Sequence, residues 1–134
     1  MADDDLESTI EGTIDSEVFI LKKELGKEYS RTLGEMNRCG ILFSGITINN
    51  VKNNLNGIIE KNVSVLIKKL KDFNFLINDR FRSIIENKVQ KEIEKLEKDY
   101  GEQLKKLVPD FSATNLFQDS KIKLHLLLKD YMHE

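Results

Sequence analysis

Apolar side chains recur at intervals of three and four residues in three segments, Val18 to Met36, Ile59 to Ile77 and Ile85 to Leu107, and Pro109 is the only proline in the chain. That interval draws one stripe along an α-helix. A chain with almost no breakers, rich in Ile, Leu, Lys and Glu, keeps such stripes helical on propensity. The fold expected is all-α: a bundle of three or four long amphipathic, antiparallel helices. Charged residues make up 33% of the 134, above the usual quarter, which suits long helices with solvated outer faces.

Residues 1–13 are acidic and short of large apolar groups, so they are read as disordered or loosely docked, ahead of a single helical domain over 14–134. A first helix is predicted from about Ser16 to Phe43, with Val18, Leu21, Leu25, Tyr29, Leu33, Met36 and Phe43 on its inner face. Gly26 and Gly34 lie inside it, either letting another helix approach or softening this one, and Gly40 is an early stop. Gly45 and Asn49-Asn50 then read as turn chemistry. Ile41, Leu42, Phe43, Ile46 and Ile48 make this connection unusually apolar. It is either a plug folded under the bundle or an exposed surface for a protein partner.

The next tract starts near Asn50 and changes period along its length. Ile59, Val63, Leu66, Leu70, Phe73 and Ile77 follow a heptad. Ile85, Val89, Ile93, Leu96, Tyr100, Leu104 and Leu107 follow an eleven-residue repeat, the pattern of straight or slightly right-handed packing. The phase shift at Asn78-Asp79 suits a hairpin, with Asp79 as N-cap. No Gly or Pro marks a turn there. The reading adopted is one long or gently bent helix over about 51–107, with the hairpin as alternative. Pro109 ends the tract. A last helix, from Gln118 or Asp119 to Met132, offers Ile122, Leu124, Leu127, Leu128 and Tyr131.

Charge is unevenly placed. Residues 1–50 carry a net −5, residues 51–109 a net +4 and residues 110–134 a net −1. An acidic first part and a basic middle are complementary, within one bundle or between subunits. The densest basic stretch is Lys61, Lys68, Lys69, Lys71, Arg80 and Arg82, interleaved with Phe73, Phe75 and Phe81. Its plain reading is a solvated face. Its functional reading is contact with an anionic membrane or nucleic acid.

No catalytic constellation emerges. The seven glycines are scattered and form no phosphate loop. Cys39 is a lone cysteine, read as a small buried hydrophobe in a reducing, cytoplasmic protein. Asp130, His133, His125 and Glu134 supply a single acid–imidazole spacing at the end of the chain, short of the several inward carboxylates a metal bundle needs. Neither metal nor cofactor is expected. The function expected is non-enzymatic: an interaction or scaffold protein that associates with itself, as a C2 dimer, and with a partner protein. An unbroken middle helix would overhang its neighbours and need a second chain to cover it.

Overall fold

A computed structural model describes residues 3–72, 79–111 and 115–130. They form four helices: α1 (Asp3–Arg38), α2 (Gly45–Asp72), α3 (Asp79–Leu107) and α4 (Gln118–Asp130). No strand occurs among the described residues.

Helix α1 begins at Asp3, well before the expected Ser16. Ile10 and Ile14 are fully buried and Leu6 packs against the core, so from Leu6 onward the acidic start is docked. The period explains it: Leu6, Ile10, Ile14 and Val18 stand four apart and extend the inner stripe. Acidic residues in the first turn also favour a helix N-terminus. The Thr9 and Thr13 hydroxyls donate to the carbonyls of Asp5 and Thr9, at 2.9 Å each. Gly26 and Gly34 approach nothing: a Cβ there would meet no atom within 4 Å.

The other end of α1 falls short of Phe43. Ile41 N–H donates to the Met36 carbonyl and Gly40 N–H to that of Asn37, both at 3.0 Å, with Gly40 at φ 75°. This is a Schellman stop, and glycine alone adopts its left-handed residue without cost. Cys39 is exposed at this stop, not buried as expected.

The tract over 51–107 is two helices. Along α1 and α2, Asn54 donates to Thr32 at 3.1 Å, Asn62 to Glu24 at 2.8 Å, and Lys69 pairs with Glu17. Numbers rise on α2 as they fall on α1, so the two are antiparallel. Along α1 and α3, Arg80 pairs with Glu7, Lys88 with Asp15, and Tyr100 packs against Tyr29. These numbers rise together, so α3 lies parallel to α1 and antiparallel to α2. The expected continuous helix is therefore replaced by the hairpin. Burial supplies the reason: a continuous helix would carry the Ile85–Leu104 stripe past the end of α1 into water. Asp79 opens α3, as an N-terminal acid should. Phe73, Phe75, Ile77 and Asn78 lie outside the described residues.

Helix α4 runs antiparallel to α3, because Lys121 meets Glu97 and His125 meets Glu86. Neighbouring packing follows the order α1, α2, α4, α3 and back to α1. So α2 and α3, consecutive in sequence, lie across the bundle from one another. One core cluster draws on all four helices. Within it Tyr29 and Tyr100 have ring centroids 5.0 Å apart, and Phe117 meets Tyr100 edge-on at 6.3 Å. Burial raises the pKa of both tyrosines, with Tyr100 adding to the shift at Tyr29 and Asp99 to that at Tyr100.

Candidate interaction surfaces

The apolar connection divides. Helix α2 starts at Gly45, not near Asn50. Ile48 then shares a face with Val51 and Leu55 and is buried, so it is core and cannot meet a partner. Ile41 and Leu42 are half-buried. Ile46 falls on the opposite face of α2 and is 55% exposed, and Phe43 in the turn is 71% exposed. The turn holds them firmly. The Ile41 carbonyl accepts from the Ser44 hydroxyl at 2.7 Å, the Thr47 hydroxyl at 2.9 Å and the Ser44 N–H at 3.1 Å. Thr47 is itself fully buried. The end of the bundle thus presents two apolar side chains on a fixed backbone.

The basic stretch does not form one face. Lys61, Lys68, Lys69 and Lys71 belong to α2, whereas Arg80 and Arg82 belong to α3. Lys69 pairs with the buried Glu17, Arg80 with Glu7 and Arg82 with Asp79. The Arg82 side chain is only 13% exposed. Lys69–Glu17, Arg80–Glu7 and Lys88–Asp15 set the basic middle against the acidic first part within one bundle, whereas Arg82–Asp79 lies inside the basic middle.

Two features escaped the sequence. The first is a cleft of about 290 Å³ between the start of α3 and the end of α4, lined by Arg82, Ser83, Glu86, His125 and Lys129 among others. In it His125 Nδ1 lies 2.8 Å from Glu86 Oε1. A carboxylate can orient an imidazole this way in a catalytic triad. Among the described residues no hydroxyl or thiol is hydrogen-bonded to the other ring nitrogen, so the pair reads as a tie between helices. No group of three or more His, Cys, Asp or Glu suited to a metal occurs among the described residues. Tyr131 and the suggested ligands His133 and Glu134 lie outside them.

The second feature is the seat of α4. Helix N-termini leave backbone N–H groups without partners, and here other helices supply the acceptors. Glu97 Oε2 accepts the Phe117 N–H at 2.7 Å, and its Oε1 takes Lys121 Nζ at 2.8 Å. Asn56 Oδ1 accepts the Ser120 hydroxyl at 2.6 Å and the Ser120 N–H at 3.3 Å. Asn56 Nδ2 donates to the Leu116 carbonyl at 3.0 Å. Ser120, Leu124 and Leu128 form the buried face of α4, while Ile122, expected there, is 48% exposed. Sequence alone offered a faint signal: Ser120, Leu124 and Leu128 stand four apart, with a small polar residue at the first position.

No described helix is long and apolar enough to cross a membrane. Compared with protein-family models, with curated proteins and with solved structures, the chain matches none.

Proposed function

We propose that this chain is a non-enzymatic helical interaction module that docks a partner protein through the apolar tip between α1 and α2. The observation that carries the reading is the pair Phe43 and Ile46, 71% and 55% exposed, on a turn fixed by three hydrogen bonds to one carbonyl. The apolar stripes of all four helices are already buried against each other, so the bundle does not need these two side chains in its core. A rigid aromatic anchor beside an aliphatic neighbour is the kind of centre on which binding energy concentrates. The half-buried Ile41 and Leu42 extend it. The basic-face alternative loses ground, since Lys69, Arg80 and Arg82 are engaged with carboxylates.

The test is a comparative capture from the native cell extract, using the wild-type chain and the Phe43→Ser/Ile46→Ser double variant. Proteins retained by the wild type should be absent from the variant, with thermal stability unchanged within about 0.5 kcal/mol for a surface change. Identical sets on both baits would refute the tip as the docking site.

A further inference from the structure

Residues 36–59 hold no Asp or Glu, although the chain has 23. This stretch runs from the last turn of α1 through Phe43 and Ile46 into α2. On α2, Ile48, Val51, Leu55 and Ile59 face the core. On the opposite side Ile46, Asn49, Asn53 and Gly57 are all exposed. They stand three and four residues apart and so make one strip along the helix. The Asn49 and Asn53 amides enter no hydrogen bond among the described residues, and a Cβ at Gly57 would meet nothing within 4 Å. The charges beside this uncharged strip are both cations, Arg38 in the last turn of α1 and Lys52 in the second turn of α2. Arg38 donates to the Gly34 carbonyl of its own helix at 3.4 Å. Neither cation enters an ion pair among the described residues, whereas Lys69, Arg80 and Lys88 are matched with Glu17, Glu7 and Asp15.

Resting on the docking tip described above, we propose that this strip continues it, and that the occupant is an acidic amphipathic helix of a partner protein. Apolar side chains of that helix sit on Phe43 and Ile46. Its polar side chains bond to the Asn49 and Asn53 amides, which offer both donors and acceptors. Its carboxylates meet Arg38 and Lys52. The centre of an interface is poor in charge, and opposite charges at its edge select the partner and speed encounter. Gly57 lets a partner's backbone come close where a side chain would hold it off. A second copy of this chain is a poor occupant, because a two-fold pairing would set the same two cations against each other. An anionic lipid surface would take the tip but leave the strip, which lies along the flank of α2, without a contact.

The test selects binders of the full-length chain from a displayed library of random peptides, with the Phe43→Ser/Ile46→Ser chain as counter-selection. The enriched peptides should carry net negative charge and apolar residues three and four apart. The most enriched one, synthesised with a fluorophore, is then titrated with full-length variants while anisotropy is followed. Asn53→Lys should tighten binding about two- to fivefold and Asn53→Glu should weaken it by as much, the worth of one exposed charge pair. Both effects should shrink as salt is raised. Asn53 is an exposed helix position, so both variants keep the fold. Enriched peptides that are neutral or basic, or equal affinity for Asn53→Lys and Asn53→Glu, overturn the acidic partner while leaving the tip standing. A selection that enriches nothing over the double variant removes the tip and the strip together. Vesicles of phosphatidylserine and phosphatidylcholine should leave the chain in solution, and co-sedimentation that Phe43→Ser/Ile46→Ser abolishes would assign the site to lipid and overturn the proposal.

Discussion

Replacing Asn56 by Ala should be among the costliest single changes on a polar residue of this chain. Asn56 is 5% exposed and Ser120 fully buried, so groups released there cannot turn to water. The substitution removes the acceptor of the Ser120 N–H and the donor to the Leu116 carbonyl. The Ser120 hydroxyl keeps a longer contact, 3.4 Å, to the Asn56 backbone carbonyl. Two buried polar groups thus lose their partners, at about 1–3 kcal/mol each, or about 3 kcal/mol together. With an unfolding entropy near 2.1 cal/mol/K per residue, that lowers Tm by about 10 °C for a chain of this size. Urea unfolding followed by circular dichroism measures the loss. A cycle with Ser120→Ala should show a coupling of about 1 kcal/mol or more. The control is Ser64→Ala, which removes a bond of 2.9 Å to the Glu60 carbonyl at an exposed site and should cost under about 1 kcal/mol. If Asn56→Ala and Ser64→Ala cost the same, or the coupling is absent, the polar seat of α4 is not what holds it.

Other consequences are measurable in the same unfolding assay. Gly26→Ala should stabilise the chain by about 0.5–1 kcal/mol, since the added methyl meets nothing within 4 Å and a glycine leaves a helix interior. Gly40→Ala should do the opposite by about 1 kcal/mol, because φ there is 75°. A core truncation such as Leu104→Ala, at a fully buried site, should cost about 2–5 kcal/mol. Alkali should destabilise the bundle through Tyr29 and Tyr100. Their folded pKa values are raised by burial, so the unfolded chain releases these protons first. Their stabilising contribution is complete below about pH 10 and is lost as pH rises through the folded values. Tyr29→Phe should flatten the fall in Tm as pH rises above about 10, and an unchanged slope would assign the loss to other groups.

Much of this architecture was legible because helix periodicity is local. The eleven-residue stripe is buried as spaced from Ile85 to Leu104, with its last member Leu107 half-buried, and Gly40 marks a real helix end. The reversal between α2 and α3 was not legible. No glycine or proline announces it, and it is decided by contacts of α3 with α1 that pair residues about seventy positions apart. The apolar connection was legible as a unit but not in its parts. Whether Ile46 or Ile48 faces the core depends on which residue begins α2, and the Thr47 hydroxyl fixes that start by bonding back to Ile41. The seat of α4 was invisible for a different reason. Asparagine and serine in helices carry no signal of their own until the structure joins Asn56 to Ser120 across sixty-four positions.

The seat of α4 exists only if α3 turns back alongside α1. Spin labels at Lys27 and Lys98, both exposed, in a Cys39→Ser background measure this directly. Tyr29 and Tyr100 are in ring contact two residues further along each helix. With helix axes about 8–10 Å apart, the labels should lie within about 30 Å of each other. A continuous helix from Gly45 to Leu107 would carry position 98 beyond the start of α1, about 60 Å from position 27 at 1.5 Å per residue. A distance distribution centred there would contradict the four-helix fold and the seat of α4.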